Sequence, residues 1–103
     1  MYETFMAALH ARHAIRLTFC AEEDGAIRTR ICYPMDYGPS RKFHDGQDRY
    51  WFWDCDSPDG PHTLGLLPSQ VSSMTDTTDV FDPAWFITWR TKWQVARDWG
   101  SLS

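Results

Sequence analysis

Apolar residues recur along the chain in two rhythms, and the change between them falls near Ala14. Over the first thirteen residues Phe5, Met6 and Leu9, joined by Tyr2, make one stripe at helical spacing, uninterrupted by glycine or proline. This predicts an amphipathic helix, with Thr4 as its candidate cap. Beyond Ala14 the period is two. Ile15, Leu17 and Phe19 alternate with Arg16, Thr18 and Cys20, the pair Asp24-Gly25 supplies a turn, and Ile27, Thr29, Ile31 and Tyr33 alternate with Arg28, Arg30 and Cys32. The pattern is that of a β-hairpin. Pro34 is expected to end its second strand or to lie at an edge, because proline has no ladder donor. Residues 36–48 hold two glycines, a proline and several charges, which reads as a long loop. A third strand from Arg49 to about Cys55 comes next, then a fourth over His62–Leu67, a tight turn at Pro68–Gln70 and a short fifth strand over Val71–Thr77.

The third strand poses a problem of burial. Tyr50, Trp51, Phe52 and Trp53 are consecutive, and since alternate side chains of a strand point to opposite faces, both faces are aromatic. Something must cover the second one. The C-terminal run carries Trp85, Trp89, Trp93 and Trp99, preceded by Asp82-Pro83, a capped-turn signal, and it is too aromatic for a disordered tail. This run, a second copy of the chain or a bound ligand are the candidate covers.

One helix followed by five short antiparallel strands predicts a mainly β fold. The expected form is a closed five-stranded SH3-like or Sm-like small barrel with its N-terminal helix over residues 1–86, since closure removes exposed edges. Residues 87–103 would be an aromatic-rich extension packed on that barrel or on a partner.

Composition narrows the function. The 103 residues carry a net charge of −4, the wrong balance for general coating of a nucleic-acid duplex. No apolar run approaches the roughly 20 residues that cross a bilayer, and the first residues lack the order of a secretory signal, so a cytoplasmic protein with no membrane partner is expected. Cys20, Cys32 and Cys55 are odd in number and widely separated, as reduced thiols would be. No phosphate-binding loop, nucleophile elbow or zinc-ligand spacing occurs. His10 and His13 lie three apart but lack further ligands, and Asp36, Asp45, Asp48, Asp54 and Asp56 have the placement of backbone caps. A protein without catalytic residues, metal or cofactor is therefore expected. Positive charge is concentrated locally: residues 26–50 hold Arg28, Arg30, Arg41, Lys42 and Arg49, half of all the basic side chains, against three acids.

The order of "IRLTF", "IRTRICYP", "RYWFWDCD", "HTLGLLPSQVSSM" and "VFDPAWF" resembles the WYL domain of bacterial transcriptional regulators, an Sm-like SH3 barrel. Tyr50, Trp51 and Phe52 fall where that family has its Trp-Tyr-Leu triplet, Arg49 matches the preceding basic residue, and His62 and Gln70 stand where the family has arginines. The resemblance implies a free-standing, non-enzymatic sensor of a nucleotide or single-stranded nucleic-acid-like anion. Arg28, Arg30, Arg49 and Trp51 would hold the ligand, with His62 and Gln70 at the margin. The alternative is an SH3-like module that binds a protein through exposed aromatic residues, with "DYGPS" and the tryptophans forming its groove.

Overall fold

The computed structural model describes residues 1–103. Helix α1 spans Tyr2–Ala11 and buries Phe5 and Leu9 of the predicted stripe together with Ala8, whereas Met6 is half-buried and Tyr2 is exposed. Thr4 lies inside the first turn and does not cap it; Met1 holds the N-cap position without a side-chain bond. The chain leaves the helix through Arg12, whose left-handed backbone (φ 59°) turns it into the sheet.

The strands are β1 (His13–Cys20), β2 (Ile27–Pro39), β3 (Asp48–Asp54), β4 (His62–Leu66) and β5 (Val71–Val80). They form one antiparallel sheet in the order β4-β3-β2-β1-β5. A single 3-10 turn at Pro68–Gln70 links the two edge strands, but no ladder joins β4 to β5. The sheet is therefore open, and the expected closed barrel is incorrect. The resemblance to the WYL domain fails at the same point, because that family's barrel is closed. Here the two apolar faces are buried by layering, with a helix on one side and the C-terminal run on the other, so closure is not what removes them from water.

Directly paired residues share a face, which sorts the side chains. Tyr50 and Phe52 lie with Leu66, Leu64, Leu17 and Ile15 on the face that α1 covers. Phe5 meets Tyr50 and Phe52 edge-on at 4.9 and 5.3 Å. Trp51 and Trp53 point the other way. Their cover is the chain's own C-terminal run: Phe86 stacks on Trp53 at 5.3 Å, and Phe81 on Tyr33 at 4.6 Å. Asp82 accepts the Ala84 N–H at 2.9 Å and caps the turn Pro83–Trp85, as its position suggests.

Pro34 does not end β2. The strand continues to Pro39, and the connecting loop is correspondingly shorter than residues 36–48. Between Pro34, opposite Phe52, and Asp36, opposite Trp51, the register slips by one residue at a β-bulge. Such a bulge accommodates the missing proline donor and re-aims the side chains beyond it. On its near side, even-numbered Cys32 and Pro34 belong to the helix-covered face; on its far side, Asp36 is turned toward the C-terminal run.

Asp36 becomes that run's anchor. Its carboxylate accepts the N–H groups of Gln94 (2.9 and 3.1 Å) and Val95 (3.0 Å), and the Arg97 guanidinium at 3.3 Å. The Arg97 side chain is fully buried, lies 4.1 Å from the ring centre of Trp93 and 4.4 Å from that of Trp99, and also donates to the Met35 carbonyl. Burial pulls its pKa down to about 10 against the opposing pull of Asp36, which leaves it charged at neutral pH. Trp99 closes the clamp by donating its indole N–H to the Leu9 carbonyl at 3.0 Å, tying the end of the chain to α1. A second close fit fixes Trp51. Its indole N–H donates to the Gly38 carbonyl at 3.0 Å, and its ring occupies the space where a Cβ on Gly65 would stand, 2.3 Å from the nearest ring atom.

Removing one partner of a buried ion pair strands the other. Arg97→Met and Asp36→Asn are each expected to lower unfolding free energy in urea by about 3–5 kcal/mol, and the double variant by less than the sum. Gly65→Ala is expected to cost about 1–3 kcal/mol and to shift tryptophan emission, because the Trp51 ring must move.

Candidate functional site

The six residues singled out from the sequence divide between two recesses. Arg28, Arg30, His62 and Gln70 line one of about 200 Å³. Arg49 and Trp51 line another of about 600 Å³, which Gln70 also borders. Strand parity causes the division: Arg28 pairs with Phe19 and His62 with Asp54 on the helix-covered face, whereas Arg49 and Trp51 alternate to the opposite face. The indole of Trp51 is thus not beside the guanidiniums of Arg28 and Arg30.

All three arginines are already paired. Arg28 donates to Asp24 at 2.8 Å and lies 3.6 Å from Glu23. Arg30 donates to the fully buried Asp54 at 2.7 Å, a bond that raises the arginine's own pKa, and extends over the Phe19 ring. Arg49 grips Asp45 through both terminal nitrogens (3.1 and 2.8 Å) and lies over Phe43; this grip, with the Gln47 N–H, holds Asp45 down to about 2. Glu22, Glu23 and Asp59 also line the smaller recess. His62 donates from Nδ1 to the Gly60 carbonyl at 3.0 Å, and the Gln70 carboxamide oxygen accepts the Leu67 N–H at 2.9 Å. These side chains brace turns and leave little free positive charge.

A third depression, of about 390 Å³, lies between the end of β2 and the C-terminal run. Pro39, Arg41 and Lys42 line it from one segment and Trp89, Arg90, Lys92 and Trp93 from the other, with Trp51 of β3 also in the lining. Arg41 joins the two segments, donating to the Lys92 carbonyl, while Gln94 fastens the run to β2 through the Pro39 carbonyl at 3.1 Å. The groove includes the Pro39-Ser40 end of "DYGPS", together with the tryptophans. Arg41 and Lys42 are noticeable in the sequence as part of its basic stretch; Arg90 and Lys92 are not, because they reach the groove only through the tertiary contacts that hold the C-terminal run on β2.

No cluster of three or more His, Cys, Asp or Glu side chains is placed to hold a metal ion. His10 is exposed, and His13 is engaged with Asp76 at 3.0 Å. The cysteines are free, and burial pushes the Cys32 thiol far up from its ordinary range, which makes it inert. No helix is long and apolar enough to cross a membrane. No family model, curated protein or solved structure matches the chain. The WYL, SH3-like and Sm-like assignments, and the transcription-regulation and nucleic-acid-binding roles attached to them, thus have no relative to rest on and are withdrawn together with the closed barrel.

Proposed function

We propose that the protein is a non-enzymatic interaction module whose groove between β2 and the C-terminal run receives an extended segment of a partner protein. The observation that carries this reading is the groove itself, with Trp89 left 41% exposed in its lining; the more exposed rings of Trp85 and Phe43 lie outside it. Its volume falls within the roughly 300–1,000 Å³ of ligand clefts, and aromatic-walled grooves are a common means of holding extended peptides.

A stacked base finds less support. Stacking needs a free ring face. Trp51, the ring of the sensor reading, is pressed on Gly65, Trp53 is stacked on Phe86, and Trp93 has Arg97 over one face, which leaves Trp85 and Trp89 as the exposed indoles. The phosphate-binding arginines of the sensor reading, Arg28, Arg30 and Arg49, are each held by a carboxylate. A peptide needs only grooves, edges and one anchoring ring. Three unpaired cysteines fit a reducing, cytoplasmic setting for such a module.

The test is a screen of arrayed 12-residue peptides against the whole chain, followed by titration of the retained sequences with the Trp89 indole N–H observed by NMR. Binding peptides are expected to shift that signal. Trp89→Ala is expected to keep the amide spectrum of the sheet and to lose about tenfold or more in affinity, as an interface anchor does. Binding that leaves the indole unmoved, or that survives the substitution, would place the interaction elsewhere.

A further inference from the structure

The chain has ten lysines and arginines. Four of them, Arg28, Arg30, Arg49 and Arg97, are bound to carboxylates, which leaves six without an acidic partner. Four of those six, Arg41, Lys42, Arg90 and Lys92, line the groove between β2 and the C-terminal run. Single exposed cations are ordinary on any protein surface. Here they converge from two segments nearly fifty residues apart, on a protein of net charge −4, where unpaired acids are plentiful. The one acid in the lining is Asp36, which is buried and engaged with Arg97 and the backbone of the run. The groove therefore has a positive field with no internal counter-charge.

Resting on the interaction-module reading, we infer that the segment taken by this groove is acidic: an extended peptide with Asp or Glu residues on both sides of one apolar residue. The apolar residue meets Trp89. The flanking carboxylates face Arg41 and Lys42 of one segment and Arg90 and Lys92 of the other. Arg41 is the one of the four whose side chain is hydrogen-bonded, and its bond to the Lys92 carbonyl leaves further N–H groups for a carboxylate. Charge complementarity at such a rim sets which partner docks and how fast.

The probes are three synthetic peptides with a central leucine: one flanked by glutamates, one by glutamines, one by lysines. Each is titrated into the full-length isotope-labelled chain at 50 and 300 mM NaCl. The glutamate peptide is expected to shift the Trp89 indole and to bind about tenfold more tightly at the lower salt, and the lysine peptide not to bind. Lys42→Glu/Arg90→Glu is expected to lose at least about tenfold, whereas Arg12→Glu/Arg16→Glu, which makes the same change in net charge at two exposed residues elsewhere, keeps the affinity. Amide spectra of both variants confirm the fold. If the glutamine peptide binds as well as the glutamate one and shifts Trp89, the groove stands and its acidic preference falls. If none of the three moves Trp89 while arrayed neutral peptides do, the preference again falls alone; if no peptide of any kind does, the groove reading falls with it. Equal loss in the Arg12/Arg16 variant would reduce the effect to net charge, and displacement by a short oligothymidylate at lower concentration than the peptide would give the groove to nucleic acid.

Discussion

A buried carboxylate on the middle strand holds the last ten residues of the protein in place. Asp36 can do this because a bulge beside Pro34 turns it to the face away from α1. There it receives two backbone amides and a guanidinium that is itself held between two indoles. An ion pair in such surroundings gives up the hydration of both members, and its net stabilisation is small against an apolar pair of the same size. Its value lies in specificity: only one path of the C-terminal run brings Gln94, Val95 and Arg97 to one carboxylate at once. The Trp89 wall of the groove and its two cations depend on that path.

The aromatic content of β3 makes the run necessary. A sheet with Tyr50 and Phe52 on one face and Trp51 and Trp53 on the other exposes a large apolar area unless both faces are layered. Helix α1 covers the first face. Phe81, Phe86, Ile87 and Trp99 cover the second and join the same hydrophobic core. Filling the second face has a functional consequence, because rings committed to packing cannot also stack on bases. Trp85 and Trp89, at the margin of the layer, stay exposed, and of these two Trp89 lines the groove.

Charge is divided in a similar way. Four arginines are neutralised by Asp24, Asp54, Asp45 and Asp36, and these pairs brace the β1–β2 turn, the end of β3, the loop before β3 and the C-terminal run in turn. Four of the six cations without a carboxylate partner line the groove; Arg12 and Arg16 lie elsewhere. A positive concavity beside an exposed indole, on an acidic molecule, is the feature on which the proposed interaction rests.

Local chemistry determined much of this architecture from the amino-acid order alone. The stripe of Phe5 and Leu9, the period-two run from Ile15 to Tyr33, the aromatic strand and the Asp82 turn depend on neighbours within a few residues, and each forms as the pattern requires. Three matters lay beyond that range. Whether the sheet closes depends on how its edge strands meet, and β4 and β5 do not pair. Whether Pro34 ends a strand depends on its ladder partners, which absorb it in a bulge. Whether an arginine is free to bind a ligand depends on distant carboxylates: Arg30 and Asp54 are 24 positions apart, Arg97 and Asp36 are 61 apart. Periodicity reports which way a side chain points; only the folded chain decides what it meets there, because ion pairs and packing act through space and not along the sequence.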